Sequence, residues 1–324
     1  MAQTRRLLVI AISLLVVPAT DSVARADSAQ PAGLHAAAQR PLVRRAGWMS
    51  SGANPRHPWL YVAGYGNDVV AIYDLALWGA PLIGEITDGI KEPSGMKLDA
   101  QGNLYVGNYG SNTVTVYAAG ETTPSLTLSQ GVAGPVDLAV DADGDVYVCN
   151  RTASPPNIAV YPPGESAPSQ TITGSLIQHP MAAAFDTAGN LYYSDYLTGI
   201  SELPYHASSL SSLGLQGFSH TQGVAVDPLG GALFVNIDST KKHSQETAVY
   251  AAGDVAPRRL LSGGAVDGDA LTIGRVKGAE YVFESISQTN QVIVYKHRSE
   301  KPYTTLATAS ANVEGLALKP AGIP

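Results

Sequence analysis

From Trp59 onward, short apolar runs keep a two-residue period and are separated by clusters of Gly, Asp, Asn and Pro. The stretch Val136-Asp137-Leu138-Ala139-Val140-Asp141 alternates, then Ala142-Asp143-Gly144 breaks the pattern, and Asp145-Val146-Tyr147-Val148 resumes it. Period-two alternation describes a strand with one buried face, and the Asp–Gly break describes a tight turn, so the segment predicts a β-hairpin. The same phrase returns at 96–99 with Gly102, at 183–186 with Gly189 and at 224–227 with Gly230. The aspartate closing each first strand is placed to accept hydrogen bonds from turn N–H groups, and the glycine supplies a positive φ.

A third run follows at 69–73, 113–117, 157–161, 247–250 and 291–295, each closing on a tyrosine suited to packing between neighbouring sheets. A weaker fourth run, as at 124–128 and 169–173, is richer in Ser, Thr and Pro, which blunts the pairing of an edge strand. The second strands, read as Leu60-Tyr61-Val62, Leu104-Tyr105-Val106, Val146-Tyr147-Val148, Leu191-Tyr192-Tyr193, Leu233-Phe234-Val235 and Tyr281-Val282-Phe283, recur at spacings of 44, 42, 45, 42 and 48. Such a period, built of short strands, predicts an all-β propeller with one blade per repeat. The first repeat lacks an inner strand, while Glu314-Gly315-Leu316-Ala317-Leu318 is an inner strand with no hairpin partner after it. The expected fold is a six-bladed β-propeller of four-stranded antiparallel blades over 57–324, its ring closed by the C-terminal strand completing the first blade.

Ahead of the repeats, Arg5 and Arg6 precede an apolar run at 7–18 and Ala24-Arg25-Ala26. A basic start, a run of 12 apolar residues and a small-x-small site read as a signal peptide over 1–26, giving a secreted or periplasmic protein. Residues 27–56, rich in Ala, Arg, Pro and Ser, read as a flexible leader. The whole chain carries a formal charge of −7, and cleavage would leave 17 basic and 26 acidic residues. That balance argues against nucleic acid and against membrane contact after signal cleavage, and the chain is expected to be a monomer. Cys149, the sole cysteine, has no partner for an intramolecular disulfide and sits in an apolar strand, where it is expected to be buried.

PSGMKLDAQGNLYVGNYGSNTVTVY (93–117) and GPVDLAVDADGDVYVCN (134–150) resemble the NHL-repeat propellers, and more distantly the gluconolactonase and senescence-marker-protein-like six-bladed propellers. The resemblance covers about 57–320. NHL-like propellers include protein-binding sensor domains, polysaccharide or RNA binders, and lyases, so it implies fold more than function.

The residues opening the inner strands are Ser94, Val136, Met181, Gln222, Asp269 and Glu314, and two positions upstream stand Glu92, Gly134, His179, His220, Asp267 and Asn312. In the gluconolactonase-like propellers the first column holds a divalent metal. The resemblance therefore implies Glu314, Asp269 and Gln222 as ligands for Ca²⁺ or Mg²⁺, with His220 or His179 as general acid or base. Gln222 stands where that family has Asn, and no P-N-G or P-D-G turn occurs.

Two readings follow. One is a binding or interaction module for a protein or glycan, using loops at Tyr65, Tyr109, Arg151 and Tyr196. The alternative is a divalent-metal-dependent lactonase-like hydrolase or lyase at the channel mouth. Polar residues also line a wet channel without further purpose. No G-x-S-x-G, H-E-x-x-H or phosphate loop is present, and Lys241-Lys242-His243 reads as a solvated turn.

Overall fold

The computed structural model describes residues 46–77, 79–240, 245–261 and 268–320. The expected signal peptide, the leader as far as 45, the lysine pair at 241–242 and Asp267 lie outside the described residues. Six antiparallel sheets form the blades of a propeller, and in blades two to six the strands pair in chain order from the centre outward. The inner strands of blades two to six are Pro93–Leu98, Pro135–Val140, Pro180–Phe185, Phe218–Val226 and Gly268–Val276. Blade one takes its inner strand, Val313–Lys319, from the far end of the sequence, with Leu318 opposite Leu60 and Leu316 opposite Val62. This pairing closes the ring and covers the edge of Trp59–Gly64 that would otherwise be free.

Two expectations need correction. Trp48–Met49, within the stretch read as flexible leader, pairs with Leu82–Ile86 as a fifth, outermost strand of blade one. Gly84 permits this, since a Cβ there would come within 2.9 Å of both Trp48 O and Met49 Sδ. Trp48 Nε1 donates to Glu85 Oε2 at 2.8 Å, and the Lys319 ammonium donates to Pro55 O while lying over the Trp59 ring. In the last repeat, Val282 pairs with Tyr295 as Leu104 pairs with Tyr117. The equivalent triplet is therefore Val282-Phe283-Glu284, one residue later than the apolar pattern indicates, because Tyr281 and Val282 look alike to that pattern. The shift puts a glutamate, Glu284, in a core position with no exposure.

The third-strand tyrosines are buried as expected, and the hydroxyls of three of them pin the segments that lead into their own blades. Tyr117, Tyr161 and Tyr250 donate to Asp88 O, Gln130 O and Gln216 O at 2.5, 2.8 and 2.8 Å. Burial pushes the Tyr117 and Tyr161 hydroxyls up to about 12. The turn aspartates also do what the pattern requires. Asp99 Oδ1 accepts from Gln101 N and Asn103 N, and Asp186 Oδ1 from Ala188 N and Asn190 N, all at 2.8–2.9 Å. Cys149 is buried, and burial drives its thiol well above the ordinary range, which keeps it unreactive.

The blades crowd at the axis. A Cβ on Gly315 would lie 1.9 Å from Ser94 O, and one on Gly95 would lie 2.1 Å from Asp137 Oδ1, so these glycines allow the close approach of inner strands. With the upper end defined as the one where inner strands begin, the channel is pinched there to about 20 Å³, room for roughly one water. It widens to about 200 Å³ at the lower end, between Leu98, Val140, Phe185, Val226 and Ile273.

Candidate functional site

Each second strand climbs to the upper end, and the residue that follows it stands on the rim. On four successive blades these are Tyr65, Tyr109, Arg151 and Tyr196, all half-buried. After Tyr65 and Tyr109 the chain makes a single 3₁₀ turn ending on Asp68 and Asn112, whose φ values of 56° and 53° are left-handed. Asp and Asn tolerate that region because their short polar side chains bond nearby backbone. Here they reach the next blade: Asp68 Oδ1 accepts from Glu92 N and Asn112 Oδ1 from Gly134 N, each at 2.7 Å. The rim is thereby tied, turn by turn, to the segments that open the inner strands.

On blades one and two the rings of Tyr65 and Tyr109 lie 6.3 Å apart, and the Tyr65 hydroxyl donates to Glu92 Oε2 at 3.1 Å. Burial, then the charges of Glu92 and Glu314, raise the Tyr65 hydroxyl above its ordinary value. Arg151 on blade three donates from Nε to Pro180 O at 3.1 Å and sets Nη2 against Met181 Sδ. Burial lowers the Arg151 guanidinium, while Tyr109, Glu314 and Asp269 pull it back up. Its positive charge is thus placed in the field of the channel-mouth acids.

On blade four, Tyr196 N donates to His179 O, and the Tyr196 ring contacts His179 at 5.5 Å and stacks on His220 at 4.1 Å. His220 Nδ1 faces Asp238 Oδ2 at 3.2 Å. The two histidines singled out by the sequence therefore meet on one tyrosine at the rim.

The anticipated ligand column is brought together in part. Glu314 and Asp269 line the narrow opening, beside Val136 and Met181, and both are half-buried. Gln222 is half-buried, and the wall on its strand is formed by Gly223 and Val224. Ser94 is buried and donates to Pro135 O at 2.6 Å, so it serves the contact between blades two and three.

Sequence reading missed the charged pair in the channel wall. Asp137 is buried, its Oδ2 accepts from Ala183 N at 3.0 Å and faces Lys97 Nζ at 3.5 Å, linking blades two, three and four. Burial raises its carboxyl, and Lys97 and the backbone donors work against that. The available signal was an aspartate inside an apolar inner strand where the other blades carry Gly or Ala.

No protein-family model matches the chain, and no curated protein matches it. Among solved structures it is similar to a chain of the nidogen/laminin complex, with a TM-score of 0.69 and 15% identity over 82% of this chain and 99% of that one. It is also similar to hydrazine synthase of Kuenenia stuttgartiensis, with a TM-score of 0.57 and 15% identity over 73% of this chain and 72% of that one. At these identities the likeness speaks for the propeller fold alone.

Proposed function

We propose that this chain is a secreted or periplasmic binding module that takes a protein or glycan on its upper rim. The observation that carries the reading is the row of half-buried Tyr65, Tyr109, Arg151 and Tyr196 on successive blades, extended by His220. Aromatic rings offer large contact area with few rotatable bonds, and a guanidinium adds a planar fork of donors, which suits recognition. The turns that carry the first two tyrosines are held by Asp68 and Asn112, so little order has to be gained on binding. Acids and one guanidinium around the rings provide hydrogen-bond partners for hydroxyls or peptide groups. A similar propeller chain in the solved nidogen/laminin complex, and the NHL-like turn pattern, support a partner-binding role without naming the partner. The signal-like segment at 1–26 supports the location.

The test is a glycan array and a pull-down from extracellular protein, run with the wild type and with a Tyr109→Ala/Tyr196→Ala variant. A ligand bound by the wild type and weakened at least about tenfold by the variant, at nearly unchanged melting temperature, is the expected result. A ligand held equally by both would remove the rim from the reading.

A second reading, a metal-dependent lactonase-like hydrolase or lyase, is favoured by one observation: Asp269 and Glu314 line the same small opening. Glu314, Asp269 and Gln222 would hold Ca²⁺ or Mg²⁺ there, and His220 or His179 would move the proton. Arg151 already brings positive charge toward both acids, which supports the first reading over this one. Ca²⁺ or Mg²⁺ uptake lost on Glu314→Gln/Asp269→Asn would favour the enzyme.

A further inference from the structure

The lower end between blades five and six holds a cluster that neither reading uses. In blades two and four the second oxygen of the turn aspartate is taken by an asparagine four residues on: Asn103 Nδ2 donates to Asp99 Oδ2, and Asn190 Nδ2 to Asp186 Oδ2. Blade five has Gly231 at that place, so Asp227 keeps one oxygen for its turn, accepting from Leu229 N at 2.9 Å. Its other oxygen faces blade six, where Asp227 Oδ2 lies 3.2 Å from His297 Nε2. His297 Nδ1 lies 3.3 Å from Glu280 Oε2. One ligand atom from each of Asp227, Glu280 and His297 falls within 4.8 Å of the others.

The imidazole is fixed in place. His297 N donates to Glu280 O, His297 O accepts from Arg259 Nη2, and the ring lies against Phe234. The three side chains are only 6, 12 and 18% exposed for Asp227, Glu280 and His297. Two of their atoms, Glu280 Oε1 and His297 Nε2, are buried without any hydrogen-bond partner. Orphaned buried polar atoms are costly, and finding two in one cluster points to a missing partner. Asp227 Oδ2 lies 3.2 Å from His297 Nε2 without making a hydrogen bond to it. Two donors to one ion show that very relation, since donors about 2.0–2.2 Å from a tetrahedral ion sit about 3.3–3.5 Å from each other.

We propose that Asp227, Glu280 and His297 form a site for a divalent transition-metal ion, with Zn²⁺ as the best fit, that ties blade five to blade six. One imidazole and two carboxylates suit Zn²⁺ better than the all-oxygen preference of Ca²⁺. Three protein donors leave a fourth position to water. The site is separate from the channel-mouth acids, so it stands or falls apart from the rim reading.

The test is titration of EDTA-stripped full chain with Zn²⁺ by calorimetry, and with Co²⁺ by visible absorption, which reports a tetrahedral N/O site directly. One ion per chain is expected, with uptake lost in Glu280→Gln and in His297→Gln and retained in Glu314→Gln/Asp269→Asn. If His297→Gln fails to fold, Glu280→Gln decides. The proposal is overturned if the stripped wild type takes up neither ion, if Glu280→Gln binds as the wild type does, or if the channel-mouth variant is the one that loses binding.

Discussion

The ring of His220 lies flat on that of Tyr196, centroids 4.1 Å apart and planes 9° from parallel, joining the rim of blade five to that of blade four. A stacked pair of this kind contributes about 0.5–1.5 kcal/mol beyond burial. Tyr196→Ala should therefore lower the melting temperature by only a few degrees while weakening any rim ligand far more. Tyr196→Phe keeps the face and should keep the stack. Calorimetric melting and ligand titration of the two variants check this, and a Phe variant as damaged as the Ala variant would show that the hydroxyl, not the stack, matters.

Gly315 sits where the C-terminal strand passes blade two, and a Cβ there would press to 1.9 Å from Ser94 O, a backbone atom with nowhere to go. Gly315→Ala should cost more than about 3 kcal/mol, in the range of severe overpacking. Removing 314–324 should abolish cooperative unfolding and cause aggregation, because it exposes the edge of Trp59–Gly64. Urea unfolding of the first and light scattering of the second are the measurements.

Blade count, closure and turn aspartates were legible because they rest on local signals: period-two alternation, Asp–Gly turns and an unmatched inner strand at the end. The rim tyrosines and Arg151 were legible for the same reason, each following a second strand. What those residues touch was not. The His220 stack depends on register shifts between Phe218 and Thr221 and between Thr221 and Val224, which no alternation pattern records. The cluster of Asp227, Glu280 and His297 joins two blades, and the last repeat reads one residue out of register, so neither its partners nor the burial of Glu284 could be inferred from spacing.

Lys97 and Asp137 are the charged pair of the channel wall, 3.5 Å apart, with side chains 25 and 10% exposed. Removing the cation alone strands a buried carboxylate, so Lys97→Met should destabilise by about 2–3 kcal/mol, below the usual range for a fully buried pair because Lys97 keeps some water. Asp137→Asn keeps an acceptor for Ala183 N. The double variant Lys97→Met/Asp137→Asn should therefore recover much of the loss. A double-mutant cycle in urea measures the coupling, and simple additivity would show that the two do not act as a pair.

Glu284 is fully buried and accepts from Thr247 Oγ1 and Asn236 Nδ2 on one oxygen, at 2.6 and 2.7 Å, and from the Tyr295 hydroxyl on the other at 3.0 Å. Burial raises its carboxyl above the ordinary 4.5, and the three hydrogen bonds offset this only in part. The folded state therefore holds the proton more tightly than the unfolded state. The stability this gives is fully present below pH 4.5 and is lost as pH rises through the raised folded value. Glu284→Gln removes the titration yet keeps an oxygen for Thr247 and Asn236, and its amide can donate to the Tyr295 oxygen. This variant should fold, melt at pH 7 no lower than the wild type, and lose the downward slope of stability with pH above 4.5. Glu284→Leu instead leaves three buried donors unpaired and should cost several kcal/mol. Melting curves from pH 4.5 to 7.5 for the three proteins decide the matter, and a wild-type slope that survives in Glu284→Gln would mean that another group carries it.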